Sequence, residues 1–258
     1  VGALLAQKPF GFDWRLLFGY VVVIGAVIST PRLLRSNTRF QITFDKSAET
    51  VATDAERLET GWRGSREGWL DAAYAALIRE GVDAVKIAPL AEALRLSRTS
   101  FYWFFKDRGA LLAALADMWE ARTTTPLVAA TAEYAETETE AMLNVIACFL
   151  RPETFDAKLE FAMRGWGLKD PAILSRVTDA DDRRLAALRV LLERWGHAPQ
   201  DADVRARTVY LVQIGYISMQ VEETIETRLT RIPNYVEIYT GHPPAPREVA
   251  RFRARFGM

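Results

Sequence analysis

The feature that most constrains this chain is the stretch from Ile87 to Leu112, which reads IAPLAEALRLSRTSFYWFFKDRGALL. Apolar residues recur at helical spacing from Ile87 to Leu94, which predicts a short amphipathic helix. Ser97 can cap a second short helix, because a serine hydroxyl accepts a hydrogen bond from an unpaired amide. Asp107 can cap a third helix in the same way. A short helix, a tight turn and another short helix form the layout of a helix-turn-helix reader of duplex DNA.

A further helix is predicted before this unit, from about Glu67 to Arg79, and Gly81 suits the left-handed position after its last turn. In the second short helix, about two turns from Arg98 to Phe105, two phenylalanines four residues apart can face inward. The helical pattern alone also fits a bundle without any nucleic-acid role. The outer face favours DNA, since hydroxyl groups can bind bases or phosphates and basic groups can bind phosphates.

The segment from Trp69 to Met118 resembles the DNA-binding domain of the TetR/AcrR family of bacterial transcriptional regulators, with the match centred on LSRTSFYWFFKDR at residues 96–108. The resemblance implies an all-α protein. In such a protein an N-terminal three-helix helix-turn-helix domain precedes a larger C-terminal helical domain for ligand binding and dimerisation. The resemblance also implies a set of DNA-binding residues, namely Lys86, Arg98, Thr99, Ser100, Tyr102, Trp103, Lys106 and Arg108.

Two positions depart from the family pattern. Arg95 stands at the turn position where the family usually has glycine, and a positive φ costs a non-glycine residue about 1 kcal/mol. We therefore expect a slightly different turn. Phe104 stands where the family more often has a polar residue, frequently histidine, so the DNA contacts at this end of the helix are expected to differ.

Composition adds limits on partners and compartment. The 258 residues carry a formal net charge of zero, so DNA binding would depend on a local basic surface and would be sensitive to salt. The single cysteine, Cys148, excludes an intramolecular disulfide bond and agrees with a reducing cytoplasm. Because Cys148 lies in an apolar run, we expect a buried residue rather than a redox sensor.

The first 60 residues contain the apolar run Leu16–Ile28, which is short for a membrane span of about 20 residues and fits a signal peptide poorly. Three interpretations remain open: a misassigned start, with the true start near Val51; a membrane segment; or another kind of extension. We divide the chain into an N-terminal extension (1–60), a helix-turn-helix DNA-binding domain (61–122) and a helical regulatory and dimerisation domain (123–258).

In the C-terminal part, proline-containing breaks separate predicted helices, and the tail from Ile232 is proline-rich with a last helix at Arg247–Phe256. The stretch Val204–Val221 is apolar nearly all round and so needs burial on more than one side. By the resemblance, residues 173–195 and 204–221 form a homodimer interface that lets two copies read a palindromic double-stranded DNA operator. The alternative is that the second helix belongs only to the core of one subunit.

The resemblance also implies a small-molecule inducer, of unknown identity, bound among the preceding helices. Arg164 is the candidate partner for an anionic group, although a salt-bridged arginine is the alternative. Aromatic and methionine residues at helical spacing are also typical of plain core. The candidate ligand-binding residues are Trp119, Phe149, Phe161, Met163, Arg164, Trp166 and Tyr210.

Nothing in the sequence favours an enzyme, and we expect no cofactor and no metal. His197 and His242 are isolated from other ligating residues, and there is no phosphate-binding glycine-rich loop. The acidic residues at 179, 181 and 182, followed by Arg183 and Arg184, predict a solvated, salt-bridged helix face. The sequence favours a cytoplasmic, ligand-responsive repressor. The alternatives are a helical adaptor that has lost DNA reading and a membrane-tethered regulator.

Overall fold

The computed structural model of the protein describes residues 64–258. The interpretations of Leu16–Ile28 and of a start near Val51 therefore lie outside the described residues. Every regular element in the described range is a helix, which confirms the predicted all-α class. None of these helices is long and apolar enough to cross a membrane.

The helices follow one another with short connections. Two of them are joined by a π-helical segment, Glu120–Thr124, and a short 3-10 turn, Val82–Ala84, follows the first. The helices are α1 (Arg66–Glu80), α2 (Ile87–Leu94), α3 (Arg98–Phe101), α4 (Arg108–Trp119), α5 (Thr125–Ala132), α6 (Glu138–Leu150), α7 (Ala157–Gly167), α8 (Pro171–Arg194), α9 (Pro199–Ser218), α10 (Ile225–Thr240) and α11 (Pro246–Ala254).

Side-chain caps define the ends of the first helices as the sequence predicts. Ser97 Oγ accepts a hydrogen bond from the Ser100 amide at 3.2 Å, and Asp107 Oδ1 accepts one from the Ala110 amide at 2.8 Å. Gly81 ends α1 with a positive φ of 84°, but its ψ of 179° places it outside the left-handed helical region that was predicted. Glycine adopts a positive φ at little cost. Among the first four helices, α1 and α2 begin and end within about two residues of their predicted bounds.

Two clusters of buried side chains hold the described helices together. The N-terminal cluster contains Trp69, Phe101 and Leu115, and residues of α7 and α8 such as Met163 and Val177 complete it. The C-terminal cluster is formed by α5, α6, the end of α8, and α9 to α11. The helix-turn-helix unit thus packs directly on α7 and α8, and a domain division at residue 122 stays a prediction.

Two predictions about helices need correction. The second short helix is shorter than the two turns expected: α3 ends at Phe101, and the Tyr102 amide bonds to Thr99 O at 3.2 Å, so a tight turn follows. A full helix, α10, begins before the proline-rich tail and runs into it, with Pro233 inside the helix. Within one subunit α9 is buried along one face, and Val204 and Leu211 remain 57% and 59% exposed, so burial on a second side stays a prediction.

Candidate functional site

The turn between α2 and α3 has a left-handed residue at Arg95, where the family usually has glycine. Arg95 has φ of 56° and ψ of 38°, in the left-handed region. The amide of Arg95 bonds to Glu92 O at 3.0 Å and that of Leu96 to Ala91 O at 2.9 Å, which closes α2. Arg95 therefore takes the place of a glycine at a steric cost of about 1 kcal/mol.

The outer side of α3 and of the turn after it presents polar and aromatic groups. Arg98 and Thr99 are exposed, and Tyr102 and Trp103 are 59% and 61% exposed. The Phe101 ring lies beneath, 5.4 Å from the Tyr102 ring centroid in an edge-to-face arrangement. The predicted basic residues Lys86 and Lys106 are also exposed, one before α2 and the other after α3.

The outer-face position predicted for Ser100 is wrong. Ser100 is 1% exposed, and its hydroxyl donates to Ser97 O at 2.6 Å. The reason is geometric, because Ser100 and Phe101 occupy the inner side of a four-residue helix whose outer side carries Arg98 and Thr99. Ser100 helps to form the cap of α3 instead of facing outward.

Arg108 is half-buried and braces the loop before α2. Its Nε donates to Val85 O at 2.5 Å and its Nη2 to Val82 O at 2.8 Å. These bonds use two of the N–H groups with which Arg108 could make the predicted phosphate contact. Phe104, the second departure from the family pattern, is half-buried against the N-terminal cluster, so it contributes packing to this end of the unit.

In the regulatory part, a buried charge network lies where the two clusters meet. Arg184 is fully buried and its guanidinium group contacts Glu160, the Tyr210 hydroxyl, and the hydroxyls of Thr123 and Thr124. The solvated position predicted for Arg184 is therefore wrong. Ala180 and Leu188, four residues to either side, lie on the same buried face of α8.

Most of the candidate ligand-binding residues are engaged within this network or in the core. Arg164 pairs with Asp181 at 2.5 Å and Glu160 at 2.8 Å, so it is the salt-bridged arginine of the alternative interpretation. Tyr210 donates to Asp181 at 2.6 Å, and burial raises the pKa of its hydroxyl. Trp119 donates to Glu160 at 2.6 Å, Trp166 is bonded to Asp170, and Met163 is fully buried.

The remaining two candidates, Phe149 and Phe161, border an open cavity of about 440 Å³ between α6, α7, α9 and α10. Sequence reasoning missed Arg228, a charged residue on the same wall. Arg228 lies in α10, which was not predicted. The hydroxyl of Thr224 accepts a hydrogen bond from the Thr227 amide at 3.2 Å. A threonine cap of this kind is the local signal that could have located this helix.

His197 is not isolated, contrary to the sequence-based expectation. Its Nε2 lies 2.5 Å from Glu138 Oε1 and its Nδ1 lies 2.9 Å from Asp201 Oδ2. Within residues 64–258 no group of three or more histidine, cysteine, aspartate or glutamate side chains could hold a metal ion.

Cys148 is buried as predicted, and burial raises the pKa of its thiol to about 12.

Comparison with known proteins links this geometry to one family. Residues 70–115 match the family model of bacterial regulatory proteins of the tetR family. Among curated proteins, no sequence matches this chain. The helix-turn-helix unit described above falls within the matched segment, which extends from the first turns of α1 almost to the end of α4.

Similar solved structures include two bacterial proteins. AmtR from Mycobacterium smegmatis matches with a TM-score of 0.53 and 18% identity, covering 75% of this chain and 95% of that protein. A proposed TetR-family transcriptional regulator from Mesorhizobium loti matches with a TM-score of 0.43 and 16% identity, covering 74% and 95%. At this identity the likeness to AmtR concerns the fold. This likeness extends beyond the first four helices into the C-terminal helices.

Proposed function

We propose that this chain, which carries the DNA-binding domain of the tetR family of bacterial regulatory proteins at residues 70–115, is a dimeric, ligand-responsive repressor of transcription. One observation supports this most directly. Exposed Arg98 and Thr99 project from a short helix, and Tyr102 from the turn after it; a left-handed turn at Arg95 and a serine cap hold that helix in place. A polar, aromatic ridge on a rigid support is suited to contact base edges and phosphates.

Residues flanking this ridge supply the local positive charge that the neutral chain requires. Lys86 and Lys106 are exposed near α3, and we assign them to phosphate contacts, with Trp103 beside them on the outer face. Phosphate contacts of this kind orient the protein on DNA without reading its sequence. Ser100 is not part of the proposed surface, because its side chain is buried.

A homodimer through α8 and α9 follows from the exposed apolar side chains on these two helices. Val190 is 58% exposed on α8, and Val204 and Leu211 are exposed one above the other on α9. A twofold-symmetric pairing of these faces would bury them and place two copies of α3 against a palindromic operator. Ligand binding in the helices beneath would then change the spacing of the two copies and release the operator.

The experiment that tests this proposal is a fluorescence anisotropy titration of the full chain against labelled duplexes that tile the region upstream of its own gene. We expect one duplex to bind far more tightly than the others, with an affinity that falls steeply as salt rises. Weak binding that is equal for all duplexes would contradict the DNA-reading assignment and favour the adaptor.

A further inference from the structure

The cavity beside Phe149 and Phe161 has an unusual wall. Apolar and aromatic residues form just over half of its lining, and the rest is polar or charged: Lys158, Gln213, Gln220, Glu222 and Arg228. Gln213 is 6% exposed, and it borders a second, small enclosed cavity together with Arg228 and Tyr216. The volume of the larger cavity is about 440 Å³. Sites that take small organic molecules have volumes of this order.

Arg228 is half-buried without a carboxylate partner. Its Nη2 donates to Gln213 Oε1 at 3.3 Å, and its guanidinium carbon lies 4.6 Å from the Tyr216 ring centroid. Among the described residues no aspartate or glutamate lies within ion-pair distance of it; neighbouring Glu223 pairs with Arg231 at 2.5 Å and acts on Arg228 only at longer range. Burial consequently lowers the pKa of Arg228 from its usual value.

A guanidinium group has five N–H donors, and a buried charge is normally paired. The hydrogen bond to Gln213 uses one of the donors of Arg228. Arg184, which is fully buried, and Arg164, which is half-buried like Arg228, are both matched by carboxylates. Arg228 is thus a partly desolvated cation placed beside a cavity, with N–H donors that no residue in the range 64–258 uses.

We propose that this cavity binds a small organic carboxylate, with the carboxylate on Arg228 and an apolar or aromatic body against Phe149 and Phe161. Arginine pairs with a carboxylate through two parallel hydrogen bonds, which suits the planar guanidinium held on Tyr216. This inference deepens the proposed function, because it names the chemical class of the ligand. Any effect of that ligand on DNA binding rests on the proposed function.

The charges at the cavity rim favour a monoanion over a phosphate ester. Lys158 and Glu222 both line the opening and both are exposed, so their opposite charges offset one another. The net positive charge of the wall is therefore that of Arg228 alone. A single guanidinium group neutralises one carboxylate, whereas a phosphate dianion would be left with excess negative charge beside Glu222.

The same cavity touches the first helix of the DNA-binding domain. Ile78 of α1 forms part of its wall, opposite residues of α9 and α10. Tyr74, one turn earlier in α1, donates to Asp156 Oδ2 at 2.8 Å just before α7. A molecule in the cavity would therefore contact both the first helix of the DNA-binding unit and the C-terminal helices.

The test is calorimetric titration of the full chain at neutral pH, without DNA, with two acids and their neutral amides. The probes are naphthalene-2-carboxylate against naphthalene-2-carboxamide, and octanoate against octanamide. We expect at least one acid to bind at least about tenfold more tightly than its amide, as a charge-assisted hydrogen bond predicts. Equal binding of acid and amide, or no binding of either acid at millimolar concentration, would overturn the proposal.

Variants then locate the charge. Arg228→Gln should remove the preference for acid over amide, whereas Arg247→Gln, which removes an exposed charge on α11, should preserve it. Arg228→Lys keeps the charge but loses the paired geometry, so it should reduce the preference several-fold even if Arg228→Gln fails to fold. Phe161→Ala should weaken acid and amide equally. A preference that survives both Arg228 substitutions would refute the assignment.

These outcomes are separable from those of the DNA titration. Loss of acid binding in Arg228→Gln with unchanged operator affinity supports the ligand site by itself. Absence of operator binding by the wild-type chain, together with selective acid binding, would leave the ligand site standing and overturn only the DNA-reading assignment.

Discussion

Arg184 forms a two-point ion pair with Glu160, in which the Nη1–Oε1 and Nη2–Oε2 distances are both 3.0 Å. Both side chains are fully buried. The same guanidinium group donates to Thr123 and Thr124 in the π-helical segment that joins α4 to α5. The pair therefore links α7 and α8 to the helix that leaves the helix-turn-helix unit, at a point where the helical geometry changes.

Replacing one partner should strongly destabilise the fold. In Arg184→Met the Glu160 carboxylate would stay buried without its main cation, which typically costs about 3–5 kcal/mol. Urea unfolding measures this loss. The matched control is Arg189→Met, whose partner Glu193 lies 3.7 Å away in an exposed pair. Loss of such a surface pair should cost less than about 1 kcal/mol. Equal losses in the two variants would contradict a special role for the buried pair.

The same pair predicts a pH dependence. Burial by itself raises the pKa of Glu160, but the guanidinium groups of Arg184 and Arg164 outweigh it and hold the pKa below its usual value. The stabilisation is then complete above the unfolded pKa of about 4.3 and is lost as pH falls through the lower folded pKa. Glu160→Gln should lack this loss.

The measurement is the free energy of unfolding between about pH 5 and pH 3. Its slope in the wild type should exceed that of Glu160→Gln by up to about 1.4 kcal/mol per pH unit, the value for one proton. Glu153→Gln changes an exposed loop carboxyl and should follow the wild type. Parallel profiles for wild type and Glu160→Gln would show that Glu160 contributes no acid-linked stability.

The sequence predicts the helix-turn-helix unit well because its signals are local. A serine or aspartate cap and a left-handed residue act within about four residues of the helix end that they define. Ser97 and Asp107 cap their helices as predicted, and Arg95 adopts the left-handed conformation of the glycine that it replaces. The burial of Ser100 was missed, since a helix of four residues leaves its inner and outer sides to be decided by packing on α1 and α4.

The regulatory part is less predictable because its signals are long-range. Arg184 reads as a member of a charged surface until its partner, 24 residues earlier in the chain, is known. Similarly, Pro233 hides α10, since proline inside a helix usually ends or bends it. The buried residues Leu229, Ile232 and Val236 hold that helix in place, and only the folded chain brings Arg228 to the cavity.

Replacing Arg95 with glycine tests the left-handed conformation of this residue, because glycine removes the backbone strain. Arg95→Gly should stabilise the protein by a few tenths of a kcal/mol to about 1 kcal/mol, because removal of the left-handed strain exceeds the entropy cost of glycine. Ala93 is exposed within α2. Ala93→Gly should instead destabilise by about 0.5–1 kcal/mol. Chemical denaturation compares them, and loss of stability in both would contradict the left-handed conformation of Arg95.

Substitutions on the outer face of α3 should affect DNA and leave the fold intact. Arg98→Ala and Tyr102→Ala should each weaken binding to the preferred duplex by about 1–3 kcal/mol with an unchanged melting temperature. Arg247→Ala removes an exposed arginine from α11 and should bind like the wild type. Unchanged affinity in both α3 variants would count against the recognition-helix assignment.

The exposed apolar face of α9 leads to a prediction about assembly. Leu211→Glu places a charge at the centre of the proposed interface, where a buried unpaired carboxylate is costly, and should convert the dimer to a monomer. Ile238→Glu alters a residue on α10 that is 62% exposed, close to the 59% of Leu211, and should leave the mass unchanged. Sedimentation velocity distinguishes the two states.

The same variant connects assembly to DNA reading. A monomer reaches only one half of a palindrome, so Leu211→Glu should also lose affinity for the preferred duplex although its α3 surface is intact. If Leu211→Glu stays dimeric and binds DNA normally, the interface lies elsewhere. If it becomes monomeric yet keeps full affinity, the operator is read by single subunits and the palindrome is not needed.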